Sequence, residues 1–264
     1  MSSVRAPPRR ILRLLYAASV LAATGFLVLA PPLYVVAYVL MHAGQVAEEA
    51  FRHYIVGSEY WRMIVRALLL SFRLSLTTLA VDILLGVPLA YLIARRRVRG
   101  SLLLESVSTL ALVLPTSAFG FAILVAWGSP YGVASLLRIN RGLVSPEQAI
   151  PLVNVPILLL LAHVSLTLPY LLRPLTAALE SLGEAYELVS RSLGASPLTT
   201  FRRVTLPLVL PSLVSGAVLS LTRSLGETGA TLMVAGVNVP ASVAIVRLVG
   251  ALRFGLASAL ASLM

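Results

Sequence analysis

The stretch "LLYAASVLAATGFLVLAPPLYVVAYVLM", Leu14 to Met41, runs for 28 residues without one charged side chain. About 20 apolar residues suffice to cross a bilayer, and a soluble domain of this size could not leave such a run unbroken by polar surface. Comparable runs recur along the chain, so it reads as an all-α, polytopic membrane protein. About six transmembrane helices are expected, over roughly 14–40, 64–94, 102–127, 151–179, 205–235 and 239–264. Composition agrees: 58% of residues are hydrophobic and 12% charged, against about a quarter charged in ordinary soluble domains.

The net charge of +11 does not indicate nucleic acid, because the arginines form no single basic face interleaved with aromatics. They cluster between apolar runs instead. Arg5, Arg9, Arg10 and Arg13 precede the first run, Arg95, Arg96, Arg97 and Arg99 follow the second, and Arg191, Arg202 and Arg203 follow the fourth. Clusters of this kind mark the cytoplasmic side, which puts the N-terminus inside and the loops 42–64 and 128–150 outside. The expected location is the cell membrane, with lipid as surroundings. All 21 basic residues are arginine, and a phosphate-binding loop needs a lysine, so ATP hydrolysis by that route is excluded. The chain has no cysteine, and His42, His53 and His163 are too scattered for a metal site. No cofactor and no catalytic residue is implied.

Residues 1–13 read as a basic cytoplasmic tail and 14–264 as one transmembrane domain. Pro31-Pro32 is expected to kink the first helix, and Pro156, Pro169 and Pro174 to break the fourth span. Arg66, Arg73 and Asp82 fall within the second span, where lipid would not tolerate them, and Glu105 is expected to meet an arginine of the 95–99 cluster. Eleven residues follow Arg253, too few to cross hydrocarbon alone. The last span therefore starts near Ala241 or the chain stops inside it, with Met264 in the membrane or near its inner face.

The segment "RSLGASPLTTFRRVTLP", Arg191 to Pro207, contains the clearest stop and start signals. Leu182, Ala185, Val189 and Leu193 recur at helical spacing, which predicts a short amphipathic helix over about 182–193. Gly194 suits the left-handed residue that ends a helix. Ser196 is a good N-cap and Pro197 a good first helical residue. The expected product is a helix, a sharp corner and a second helix on the cytoplasmic face. Two readings of this segment stand: an ordinary basic loop, or a docking element for a cytoplasmic partner.

Gly194 followed after nine residues by Val204-Thr205-Leu206-Pro207 resembles the signature E-A-A-x3-G-x9-I-x-L-P of permease subunits of binding-protein-dependent type I ABC importers. The E-A-A positions hold Leu188-Val189-Ser190, with Glu187 one residue early and Glu184-Ala185 upstream. "GVPLAYLIARR", "LVLPTSAFGFAIL" and "SLGETGATLMVAG" look like the same family at corresponding positions, so the resemblance covers about residues 60–260. It implies a type I ABC importer permease core and a coupling segment at about 182–206. That segment would act through Glu184, Glu187, Arg191, Gly194, Ala195, Ser196, Pro197, Leu206 and Pro207. It further implies three partners: an ABC ATPase subunit dimer, an extracytoplasmic solute-binding protein and a second permease subunit, as a homodimer. Among substrates the text resembles permeases for molybdate, tungstate and sulfate most, with phosphate, ferric iron and thiamine as alternatives.

For the translocation path the candidates are Thr116, Ser117, Arg223, Glu227 and Thr228. Arg223 and Glu227 are four residues apart and share a helical face. They are either a mutually neutralising structural pair or part of the path. An ion-gradient-driven secondary transporter would show inverted repeats and paired intramembrane acids, and an intramembrane enzyme a nucleophile with its base. Neither pattern is found in the sequence.

Overall fold

The computed structural model describes residues 9–52, 57–95, 100, 106, 110–138 and 149–264. Five helical stretches among these are long and apolar enough to cross a membrane: Arg13–Met41, Glu59–Ala94, Thr116–Leu136, Ile157–Leu182 and Pro197–Leu225. Nine helices carry labels below: α1 Arg9–Met41, α2 Gly57–Ala94, α3 Thr116–Ile123, α4 Ile157–Leu182, α5 Ala185–Ser192, α6 Leu206–Leu225, α7 Gly229–Val234, α8 Ala241–Gly250 and α9 Phe254–Leu263. A two-stranded hairpin precedes α4, with Ala149 opposite Pro156 and Ile150 opposite Val155.

The described residues form two compact units, one of Met1–Met63 with Ile245–Met264 and the other of Ile64–Ala244. In the first unit α1 begins at Arg9, so the helix includes part of the expected tail, and it continues through Pro31 and Pro32. The sixth expected span is corrected here: it is not one helix. Gly250 ends α8, Leu252 takes a left-handed φ of 57°, and α9 starts at Phe254. The break has a physical reason. Arg253 would otherwise lie inside an apolar helix, but in the gap its Nη1 donates to Glu49 Oε1 at 2.8 Å and its guanidinium lies 5.8 Å from the Tyr60 ring centre. α9 packs on α1.

In the second unit the fourth span also differs from expectation. Pro169 and Pro174 lie inside an unbroken α4 and Pro156 caps its start, because a proline's lost helical bond can be compensated by neighbouring groups in a packed bundle. The fifth span is interrupted: α6 ends at Leu225 and α7 begins at Gly229. The third span is shorter among the described residues, since 111–113 form a turn and α3 starts only after Pro115. Glu105, His53 and Arg96, Arg97 and Arg99 lie outside the described residues.

Helices in lipid gain little from the hydrophobic effect and hold together by close approach and hydrogen bonds. α4 and α6 illustrate the first device, since a Cβ on Gly216 would fall 3.1 Å from the Leu171 backbone. A buried polar network supplies the second. Asp82 of α2 is fully buried, and its Oδ2 accepts from Thr167 Oγ1 of α4 at 2.6 Å and Ser220 Oγ of α6 at 2.5 Å. His163 of α4 lies between Ser224 Oγ and Thr231 Oγ1, each 2.9 Å from a ring nitrogen. Three helices and the start of α7 are thereby tied at fixed heights. Nearer the α5 end, Ala90, Ile93, Leu171, Leu172, Leu175, Leu179 and Val209 form an apolar cluster.

Candidate functional site

The corner expected from the sequence is present in detail. α4 stops at Leu182, Gly183 turns the chain, and α5 follows at once. At the far end of α5, Gly194 takes φ 87°. Its N–H donates to Arg191 O at 2.9 Å and the Ala195 N–H donates to Ser190 O at 3.2 Å. These are the two paired bonds that terminate a helix through a left-handed residue. Ser196 then caps the next helical turn, its Oγ accepting from the Thr199 N–H at 3.2 Å, with Pro197 in the first turn. From Pro197 the chain stays helical through Phe201–Thr205 into α6. Ser190 Oγ and Thr200 Oγ1, 3.1 Å apart, join the two arms.

One side of this corner is apolar and open. Tyr186, Val189 and Leu193 are exposed on it, Leu193 at 84%. A groove of about 500 Å³ lies among Ala185, Tyr186, Val189, Ser190, Leu193 and Val204. Of the coupling candidates, Glu184, Gly194, Ser196 and Pro197 are exposed, and Arg191 and Ala195 are half-buried. Leu206 and Pro207 stand in the first turn of α6.

Glu187 points the other way. It is 4% exposed, and its Oε1 accepts from Arg95 Nη2 at 2.7 Å, Arg95 Nε at 3.1 Å and Thr205 Oγ1 at 3.2 Å. The Tyr91 hydroxyl donates to Oε2 at 2.8 Å, and Arg95 Nη1 donates to Leu179 O at 2.8 Å. One carboxylate therefore links α5 to the end of α2 and the approach to α6, while Arg95 reaches α4. Burial pushes the Glu187 carboxyl up, but the bonds from Arg95 and Tyr91 and the Arg95 charge outweigh it and hold the group below its ordinary value. Arg95 entered the sequence reading only as one more cytoplasmic arginine. The missed signal was its place in the register of α2, four residues after Tyr91 and so on the same face.

The path candidates are also brought together in part. Arg223 and Glu227 form an ion pair, and Glu227 Oε1 accepts from the Ala230 N–H at 2.8 Å, so the same carboxylate caps α7. Gly229 lies so close to Thr116 that a Cβ would collide with its hydroxyl. Thr116 thus lies against Gly229, the residue that follows Glu227 and Thr228, where α3 and α7 begin; Ser117 is exposed and Arg223 a quarter exposed. His163, set aside in the sequence as background, and Asp82 are the buried polar centres that sequence spacing did not connect. Their partners lie 61 to 138 residues away along the chain.

Apolar helices long enough to cross a membrane, with a capped corner between α5 and α6, define an all-helical membrane protein. Residues 82–264 match the family described as binding-protein-dependent transport system inner membrane component, and the chain belongs to that family. It is 41% identical over 182 residues to the molybdenum transport system permease protein ModB of Mycobacterium tuberculosis, covering 67% of this chain and 66% of that one. It is 30% identical over 173 residues to the molybdate/tungstate transport system permease protein WtpB of Pyrococcus abyssi, covering 66% and 61%. The match thus spans just under two thirds of these relatives' own length. Among solved structures, a chain of a bacterial alginate ABC transporter, in complex with its alginate-bound periplasmic protein, superposes with a TM-score of 0.60 at 19% identity, over 94% of this chain and 87% of that one. The fold is that of an ABC transporter permease.

Proposed function

We propose that this chain is the transmembrane permease subunit of an ABC importer for a tetrahedral oxyanion of the molybdate, tungstate and sulfate class. It works as a homodimer beside an ATPase dimer and receives its solute from an extracytoplasmic binding protein. The observation that carries the reading is the capped corner at Gly194, with an open apolar groove on a segment too short to span. Names of the relatives support the oxyanion. The chain lacks every lysine, so ATP is hydrolysed by the partner and its energy enters as movement of the corner. Glu184, Arg191, Gly194, Ala195, Ser196 and Pro197 make the docking face, Glu187 holds that face in place, and Leu206 and Pro207 lead into α6. Thr116, Ser117, Arg223, Glu227 and Thr228 border the path.

Co-expression with the partner ATPase and binding protein, followed by reconstitution in liposomes, tests this. The ATPase is expected to co-purify, and ATP inside the liposomes is expected to drive molybdate uptake from the side holding the binding protein. A chain that never retains an ATPase would overturn the assignment. Orientation is tested separately, since the chain contains no native cysteine. Leu152 is 93% exposed and Leu193 84%. Leu152→Cys is expected to react with an impermeant maleimide in intact cells, and Leu193→Cys only after permeabilisation. The reverse pattern would invert the topology.

A further inference from the structure

The helices of this chain differ in what they show to their surroundings. α1 exposes Leu14, Leu21, Phe26 and Leu40, α2 exposes Leu69, Phe72, Leu76 and Leu84, and α6 exposes Leu208, Val214, Val218 and Leu219. Those faces suit lipid. α4 is described along its whole length, and none of its large apolar side chains is exposed. Its exposed positions are Arg173, Ala177, Glu180 and Ser181. These are spaced i, i+4, i+7 and i+8 and so form one strip, about 12 Å long, on the last third of the helix.

Arg173 is deep. α4 has 26 residues, about 39 Å of helix, and Arg173 stands about 5 Å from its midpoint on the side leading to α5. With α4 centred across roughly 30 Å of hydrocarbon, that position lies about 10 Å inside the nearer surface, on the α5 side. A charge there is costly in lipid and faces a bundle interior or a water-filled cavity. Among the described residues, no ion pair or hydrogen bond engages the Arg173 guanidinium. Arg223, by contrast, is neutralised by Glu227, and Arg95 by Glu187.

Resting on the oxyanion-importer reading above, we infer that the α4 strip lines the aqueous path and that Arg173 is the side chain that binds the passing oxyanion. The guanidinium is a planar fork of N–H donors that matches two oxygens of a tetrahedral anion. In a homodimer two copies of Arg173 serve one dianion, which balances its charge within the membrane. One arginine per chain, without a fixed cage around it, lets the anion leave again.

The test uses the complete complex of permease, ATPase and binding protein in liposomes, with radiolabelled molybdate as probe. Arg173→Gln is expected to lower maximal uptake at least tenfold, with the half-saturating molybdate concentration unchanged because the binding protein sets it. ATPase and second copy remain bound, and the ratio of ATP hydrolysed to molybdate carried rises. Arg173→Lys retains the charge without the fork and is expected to recover a substantial part of the rate, which loss of packing alone would not give. Native uptake by Arg173→Gln removes Arg173 from the path. Loss of the dimer in that variant makes it an interface brace and equally overturns the inference. If the native complex holds its ATPase but carries neither molybdate, tungstate nor sulfate, the oxyanion reading itself fails, and the Arg173 inference with it.

Discussion

Gly194→Val is expected to insert in the membrane and to lose ATP-driven uptake altogether. Two physical effects can produce that loss, and the structure separates them. At φ 87° a β-branched residue is strained, at a cost of roughly 1–2 kcal/mol. That alone leaves most of a protein folded. The second effect lies outside the chain. A Cβ at Gly194 would meet nothing within 4 Å, so an added side chain projects from the corner toward whatever docks there.

Gly194→Asn distinguishes the two, because asparagine enters the left-handed region at little cost while still presenting a side chain. The expected result is a melting temperature close to native for Gly194→Asn, with ATPase affinity reduced at least tenfold and uptake reduced in proportion. Native behaviour by asparagine with failure of valine would mean that only the shape of the corner matters. Normal uptake by both would reduce the segment to an ordinary basic loop.

The corner was readable because its signals are local. Gly194, Ser196 and Pro197 each act on backbone groups within five residues, so their meaning survives without knowledge of the fold. Membrane spans are legible for a similar reason, since only length and polarity decide them. Interruptions within spans are different. The gap between α6 and α7 is held by Glu227 accepting from Ala230 and by Thr116 beside Gly229, and the gap after α8 by Arg253 reaching Glu49. Each depends on a group far away in sequence or on a register that hydropathy cannot express. Pro169 and Pro174 mislead in the opposite direction, because close packing keeps α4 continuous through both. Arg173 falls inside the span expected over 151–179, but that no ion pair or hydrogen bond engages it among the described residues is visible only in the folded chain. Its depth shows only once the limits of α4 are known.

The Arg95–Glu187 pair carries the second large effect. Both side chains are nearly enclosed, at 7% and 4% exposed, so removing one leaves the other charged, buried and short of partners. Breaking such a pair costs about 3–5 kcal/mol, whereas replacing both members with apolar groups of similar volume is often neutral. Glu187→Ala and Arg95→Ala are therefore each expected to lower the melting temperature in detergent sharply and to release the α5 corner from α2, with uptake falling at least tenfold. Arg95→Met with Glu187→Leu is expected to recover most of the lost stability. The dependence on pH follows from the Glu187 carboxyl being held below its ordinary value. A depressed carboxyl stabilises the folded state fully above its unfolded pKa, about 4.3, and that contribution disappears as pH falls through the lower folded value. The stability difference between the native chain and Glu187→Gln should thus be constant near neutrality and shrink only below about pH 4.3. Melting curves of the two single variants and the double variant, taken as a cycle, measure the coupling directly. Additive losses would show that Arg95 and Glu187 act independently and that the corner is held by its apolar contacts instead.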